Sequence, residues 1–213
     1  MPPARPEAPD AVGPMFPRDV ARLLAMAEGR PLSIERVLAT MDDRGYALAL
    51  VFLAFPFVLP VPSLGMSAPI GFFLALGGLT LARGATPSLP GFLRRRQIAY
   101  PALRALAAAV ERGRHLGAFV LRPRLPFALA GPARAALGLS LCGAALILAL
   151  PIPLPLSNFL PALAILMLAL GLLEGDGLWV IAGHAATLGL GAVLYVTWEA
   201  ARLGVERVLA WVI

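Results

Sequence analysis

Four arginines flank the apolar tracts of this chain: Arg83 closes one tract, and Arg122, Arg124 and Arg134 lead into the next. A guanidinium presents paired N–H donors that grip phosphate bidentately, so arginines at the edge of an apolar tract are candidates for holding a lipid phosphate. Pro123 and Pro126 fix the backbone beside Arg122 and Arg124, which makes those two the sharper candidates. Topology-setting charge is the plainer reading of the set, and the better one for Arg94, Arg95 and Arg96. Inside the tracts, Ser63 and Ser67, then Ser157 and Asn158, stand beside clustered prolines. Their polar groups either face a substrate or satisfy backbone groups that the prolines leave open. Glu174 and Asp176, in the run EGDG, offer carboxylates that pair with arginines or relay protons; a helix end whose glycines permit the turn is the alternative. His184 lies within the last apolar run, where an ionisable group is costly and therefore a functional candidate. A neutral imidazole bonded to a neighbouring helix is the competing reading.

Catalytic constellations do not accompany these residues. His115 and His184 are far apart, no acidic motif stands near either at metal-ligand spacing, and no phosphate-cradling glycine loop or nucleophile elbow is present. Cys142 is the one cysteine, so neither an internal disulfide nor a cysteine-based metal site forms within the chain. The expectation is a non-enzyme with no cofactor and no metal.

What must position these side chains is a membrane. Of 213 residues, 59% are hydrophobic and 14% charged, and the mean hydropathy is +0.81. Soluble domains carry about 45–50% apolar and about 25% charged residues. No Asp, Glu, Lys or Arg occurs from Gly45 to Ala82, from Ala135 to Leu173 or from Gly177 to Trp198. Uncharged runs beyond about 18 residues read as membrane-embedded, which argues against a soluble enzyme. The net charge of +6 comes from residues 83–134, which hold ten Arg and one Glu. The positive-inside rule accounts for that concentration, places the connector on the cytoplasmic side, and removes the need for a nucleic-acid partner.

An internal repeat organises the tracts. LAFPFVLPVPSLGMSAPIGFFLALGGLTLARG from Leu53 parallels LALPIPLPLSNFLPALAILMLALGLLEGDG from Leu148, with Pro56 matching Pro151 and Pro60 matching Pro155. Each copy reads as apolar helix, proline-broken centre, apolar helix, with arms at 46–59, 70–82, 135–150 and 162–173. Such arms are shorter than the about 20 residues a span needs. The predicted fold class is an all-α integral membrane protein. It has two repeated, re-entrant helical hairpins, amphipathic interfacial helices and a C-terminal transmembrane helix; two thin, kinked spanning pairs are the alternative to re-entrance. Residues 1–31 are predicted to form a Pro-rich disordered tail with a short amphipathic segment. Residues 32–213 form one membrane domain, with repeat one at 45–98 and repeat two at 132–200. Ser33 is placed as the N-cap of a second amphipathic segment.

Several of these stretches resemble the exopolysaccharide-synthesis ExoD family of bacterial membrane proteins: DDRGYALAL from Asp42, PSLP from Pro87, RPRLPF from Arg122, Gly131-Pro132, and SNFLPALAILMLALGLLEGDG from Ser157. The sequence departs from the family pattern at Ser88, where Trp is common, and at Gly175, where Arg is common. The resemblance implies a multi-pass protein of the bacterial inner membrane tied to exopolysaccharide production, and it brings no defined activity. The function expected from all of this is transport or binding of an anionic lipid, such as a polyprenyl-phosphate carrier. Two alternatives stand beside it: an accessory or scaffold subunit that binds polysaccharide-synthesis enzymes, and a proton- or sodium-coupled small-solute carrier using His184, Glu174 or Asp176. Membrane lipids are the expected partners. Small residues Gly183, Ala185 and Gly189 in the last run offer packing surfaces within the chain or for a homodimer.

Overall fold

A computed structural model describes residues 15–41, 43–59, 65–85, 121–150 and 157–212, with parts of the connector between 87 and 112. Among these residues the chain is helical apart from one short sheet. Helix α1 (Met15–Ala27) buries Val20, Leu23 and Ala27 on one stripe. Strand β1 (Leu32–Ser33) pairs antiparallel with β2 (Gln97–Ile98) and so ties the start of the chain to the connector. Helix α2 (Ile34–Met41) starts where expected, with the Arg36 amide donating to Ser33 Oγ at 3.3 Å. The first repeat supplies α3 (Asp43–Ala54), a 3-10 turn at Phe55–Val58 that carries Pro56, and α4 (Ser67–Ala82). The second supplies α5 (Pro132–Ala149) and α6 (Phe159–Glu174), and α7 (Gly177–Val212) closes the described chain.

All four arms begin three residues earlier than their apolar runs, at Asp43, Ser67, Pro132 and Phe159. A first helical turn leaves its N–H groups unbonded within the helix and so accepts polar residues or proline, which hydropathy alone does not register as helix. The breaks at 60–64 and 151–156, and with them Ser63 and Pro151, Pro153 and Pro155, lie outside the described residues. So do His115, Arg94, Arg96 and residues 1–14 of the tail.

Glycines set the helix directions. A Cβ on Gly71 of α4 would lie 2.7 Å from the Ala145 carbonyl oxygen, and one on Gly78 would lie 2.7 Å from the Cys142 amide nitrogen. The partner moves backwards along α5 as α4 advances, so these two helices are antiparallel, with backbones too close for any side chain between them. On the other side, Gly171 of α6 meets Val180, and Gly183 of α7 meets Leu168, another antiparallel pair. Helix α7 runs parallel to α5, because Ser140 meets His184 and Gly143 meets Thr187. Hence α4 and α6, the second arms of the two repeats, point the same way. Helix α3 packs along α6, as α4 does along α5, so the first arm of each repeat lies on the second arm of the other.

This exchange builds a continuous core of Leu50, Leu74, Leu141, Leu148, Ile165 and Leu168. A second cluster, with Leu23, Ala27, Leu32, Val37 and Leu103 around Ala47 and Leu173, seats α1, α2 and the connector on one end of the bundle. At that end lie the start of α5 and the ends of α4 and α6. It is called the base here.

Candidate functional site

The base brings together the two runs that the sequence singles out at distant positions, RPRLPF and EGDG. Helix α6 stops because Gly175 adopts a left-handed conformation (φ 70°), and the Asp176 amide then closes back onto the Gly171 carbonyl at 2.8 Å. That turn suits glycine, which has no Cβ to clash. It aims Asp176 inward, where the residue is fully buried. Arg124 Nε donates to both carboxylate oxygens at 3.0 Å, the Arg122 amide donates to Oδ2 at 3.0 Å, and the Leu178 amide donates to Oδ1 at 3.0 Å. The Gly177 amide returns a bond to the Arg124 carbonyl at 2.8 Å. A side chain at Gly177 would run into the Leu125 carbonyl oxygen, so this second glycine is needed for the approach. Leu125 itself takes a left-handed backbone (φ 54°), an unfavourable state for a leucine that the bonds on either side hold in place.

Burial by itself pushes the Asp176 carboxyl up in pKa. The bonds from Arg124 and from the Arg122 and Leu178 amides outweigh that effect, and the group titrates below the ordinary carboxylate value. It is therefore ionised at neutral pH and held in an ion pair, which leaves it poorly placed to relay protons.

Two other acids of the base, Asp19 and Glu174, are engaged too. Arg44 of α3 donates to Asp19 of α1 at 2.7 Å, and the Asp19 side chain is 4% exposed. Glu174, also buried, accepts the Phe16 amide at 3.4 Å and so meets the first turn of α1, where a carboxylate complements the helix dipole. The arginines differ in exposure. Arg83, which follows α4, and Arg122 are exposed at the surface of the base; the Arg124 side chain is 41% exposed beyond its paired Nε; Arg134, in the first turn of α5, is half-buried.

Not every candidate belongs to this end. Ser67 is buried at the start of α4, and Ser157 and Asn158 lead into α6, all three at the end of the bundle away from the base. His184, two turns into α7, sits beside the middle of α5, its Nδ1 2.6 Å from Ser140 Oγ. That contact bonds the imidazole to a neighbouring helix. Gly183 packs inside the chain against Leu168, whereas Gly189 faces open space.

Three features escaped the residue-by-residue reading. Asp19 carried a signal, since it shares the i, i+4, i+8 stripe of Leu23 and Ala27 and is an acid on a buried face. Gly71 and Gly78, two turns apart, mark the side of α4 that meets α5. Ser140 carried none, being one hydroxyl in an apolar run.

Comparison with known proteins places this geometry in a family. Residues 17–196 match the family described as "Exopolysaccharide synthesis, ExoD". The chain is similar to Protein ExoD of Rhizobium meliloti, 33% identical over 168 residues, covering 76% of this chain and 68% of that protein. It is also similar to an uncharacterised Synechocystis protein, 28% identical over 171 residues, with 78% of each chain covered. No solved structure matches.

Proposed function

The chain belongs to the ExoD family of exopolysaccharide synthesis, and on that premise we propose that it is an integral protein of the bacterial inner membrane whose base binds the phosphate of an anionic lipid, with a polyprenyl-phosphate carrier as the class of ligand. The membrane reading is supported by what the helices expose. Two helices, Pro132–Ala149 and Gly177–Trp211, are long and apolar enough to cross a bilayer. The outward faces are apolar as well: Phe52, Phe72, Leu76, Leu139 and Leu188 are each 59–73% exposed. In water such patches drive association; in lipid they are the ordinary surface.

Helix lengths fit two hairpins entering from the base. Helices α4 and α6 have 16 residues each, roughly 24 Å at about 1.5 Å per residue, against a hydrocarbon core of about 30 Å. In this reading each hairpin returns to the base on its short second arm, and α7 makes a full crossing. Their shared direction gives the two repeats the same orientation in the membrane, so the exchange of inverted halves used by many transporters is not available here. That favours binding or presentation of the lipid over alternating access.

The observation that carries the ligand class is the division of labour at the elbow: Asp176 takes the Arg122 backbone and the Arg124 side chain, and the Arg122 side chain extends from this fixed turn at the surface. With Asp19 and Asp176 in ion pairs and Glu174 at a helix N-terminus, these three carboxylates are engaged, and the exposed arginines Arg83 and Arg122 at this end suit a phosphate. Complementation tests the proposal. In a host lacking its own family member and deficient in exopolysaccharide, Arg122→Gln and Arg83→Gln fail to restore production although the protein accumulates normally. Full restoration by both variants contradicts the lipid-phosphate reading.

A further inference from the structure

His184 stands apart from the base, and its bonding is half complete. Ser140 Oγ lies 2.6 Å from His184 Nδ1, and among the described residues neither side chain has a second hydrogen-bond partner. Thr80, Thr187 and Thr197, also within apolar helices, each donate to a carbonyl of the preceding turn. Ser140 makes no such bond, so its proton goes to Nδ1. The neutral ring then carries its own proton on Nε2, a donor with nothing in the described chain to receive it.

The position of this donor narrows what can meet it. The ring is half-buried, and the residues that flank it, Leu139 on α5 with Ile181 and Leu188 on α7, are exposed and apolar. Gly177, which the Leu125 carbonyl approaches, is followed by Ile181, His184 and Leu188 at i+4, i+7 and i+11. One stripe of α7 therefore runs from the arginine elbow past the imidazole. From Gly177 to His184 the helix advances roughly 10 Å at about 1.5 Å per residue. Helical side chains lean toward the N-terminus, which for α7 is the base, so the imidazole reaches back toward the level of Arg122.

We propose that His184 Nε2 donates to an ester carbonyl of a glycerophospholipid lying against this stripe. A diacyl phospholipid carries its ester carbonyls one glycerol unit below the phosphate, between headgroup and hydrocarbon. An imidazole just beneath the arginine level stands at that depth. The chains further down offer no acceptor, and neither does a polyprenyl phosphate, which is hydrocarbon from its phosphate down. In apolar surroundings an unmet donor is costly, so an acceptor supplied there is held firmly. Ser140 is a positioning residue, because its bond to Nδ1 fixes the tautomer that makes Nε2 the donor. The inference takes from the proposed function only that the base lies at headgroup level. It concerns a lipid of the bilayer itself and holds whichever lipid the arginines bind.

Competition between two lipids tests this. Purified protein is offered equal amounts of dioleoyl phosphatidylglycerol and its diether analogue, and the lipids it retains are counted by native mass spectrometry. The two share headgroup, phosphate and chains, so the carbonyls alone distinguish them. The wild type retains the diester about three- to tenfold over the diether, the size of one neutral hydrogen bond. His184→Leu retains both equally, and Ser140→Ala shows a smaller preference than the wild type. His184→Phe serves where the leucine variant does not accumulate, with the same expectation. Failure of the arginine site changes retention of both lipids alike and leaves their ratio intact, so the two readings fail separately. A wild type indifferent to the ester, with Nε2 met by water instead, overturns the proposal. So does a preference that survives in His184→Leu or His184→Phe.

Discussion

Arg124 and Asp176, 52 positions apart, meet with the Arg124 Nε 3.0 Å from both carboxylate oxygens, and this contact fastens the connector to the turn between α6 and α7. A charge-assisted bond to a fully buried carboxylate is stronger than a surface ion pair, because the carboxylate has no water to fall back on.

Removing either partner therefore destabilises the base, and by unequal amounts. Arg124→Ala strands a buried carboxylate, an outcome that costs about 3–5 kcal/mol for buried pairs; with Arg124 partly exposed, the lower end is expected. Asp176→Asn keeps the shape and loses the charge, for about 1.5–3 kcal/mol. A double-mutant cycle in detergent micelles, followed by thermal or denaturant unfolding, reads the coupling. Additive effects would show that the pair is not the latch.

Arg122 and Arg124 separate in the same assay. Asp176 bonds the Arg122 main chain, so Arg122→Gln preserves that donor and is expected to cost less stability than Arg124→Gln. Arg124→Gln unfolds earlier. Equal loss of stability in both would place the Arg122 side chain in the latch and remove the basis for assigning it to a ligand.

The pH dependence has a definite sign. Asp176 titrates below its ordinary value in the folded chain, so its contribution to stability is fully present above the ordinary carboxylate range and is lost as pH falls through the folded value. Unfolding monitored from neutral to strongly acidic pH shows the wild type losing stability at the acid end and Asp176→Asn losing less. A wild-type loss centred near neutrality would point to a histidine instead.

Close approach at glycine separates structural from open positions. Gly78→Leu or Gly138→Leu pushes a side chain into the facing backbone and abolishes folding, read as loss of membrane-integrated protein. Gly189→Ala, with nothing within 4 Å of the new Cβ, is neutral or stabilises by up to about 1 kcal/mol through helix propensity. A folded Gly78→Leu would mean that α4 and α5 are not packed as described.

Periodicity and charge made much of this architecture legible. Among the described residues the apolar runs located α3 to α7, and Pro56 located the 3-10 turn that follows α3. Ser33 and Gly175 announced a helix start and a helix end through their capping chemistry. What the sequence could not convey was which arms touch. Nothing local in Gly71 or Ala145 says that the first repeat's second helix lies on the second repeat's first, because helix pairing depends on matched surfaces far apart in the chain. The candidate site was legible in composition and not in roles. Arg122, Arg124, Glu174 and Asp176 were visible as charges at apolar boundaries, yet only the three-dimensional turn assigns Arg124 to Asp176 and Glu174 to the Phe16 amide. The His184–Ser140 contact was beyond reach for the same reason, since the register of α5 against α7 is set by their packing.

The most direct test is to purify the protein gently, identify bound lipids by native mass spectrometry, and compare wild type with Arg122→Gln and Arg83→Gln. A polyprenyl phosphate or other anionic lipid in fixed stoichiometry, retained by the wild type and lost from folded variants, is the expected result. Bulk phospholipid alone, unchanged by the substitutions, would contradict a lipid-phosphate site at the base and leave those arginines as topology-setting charge.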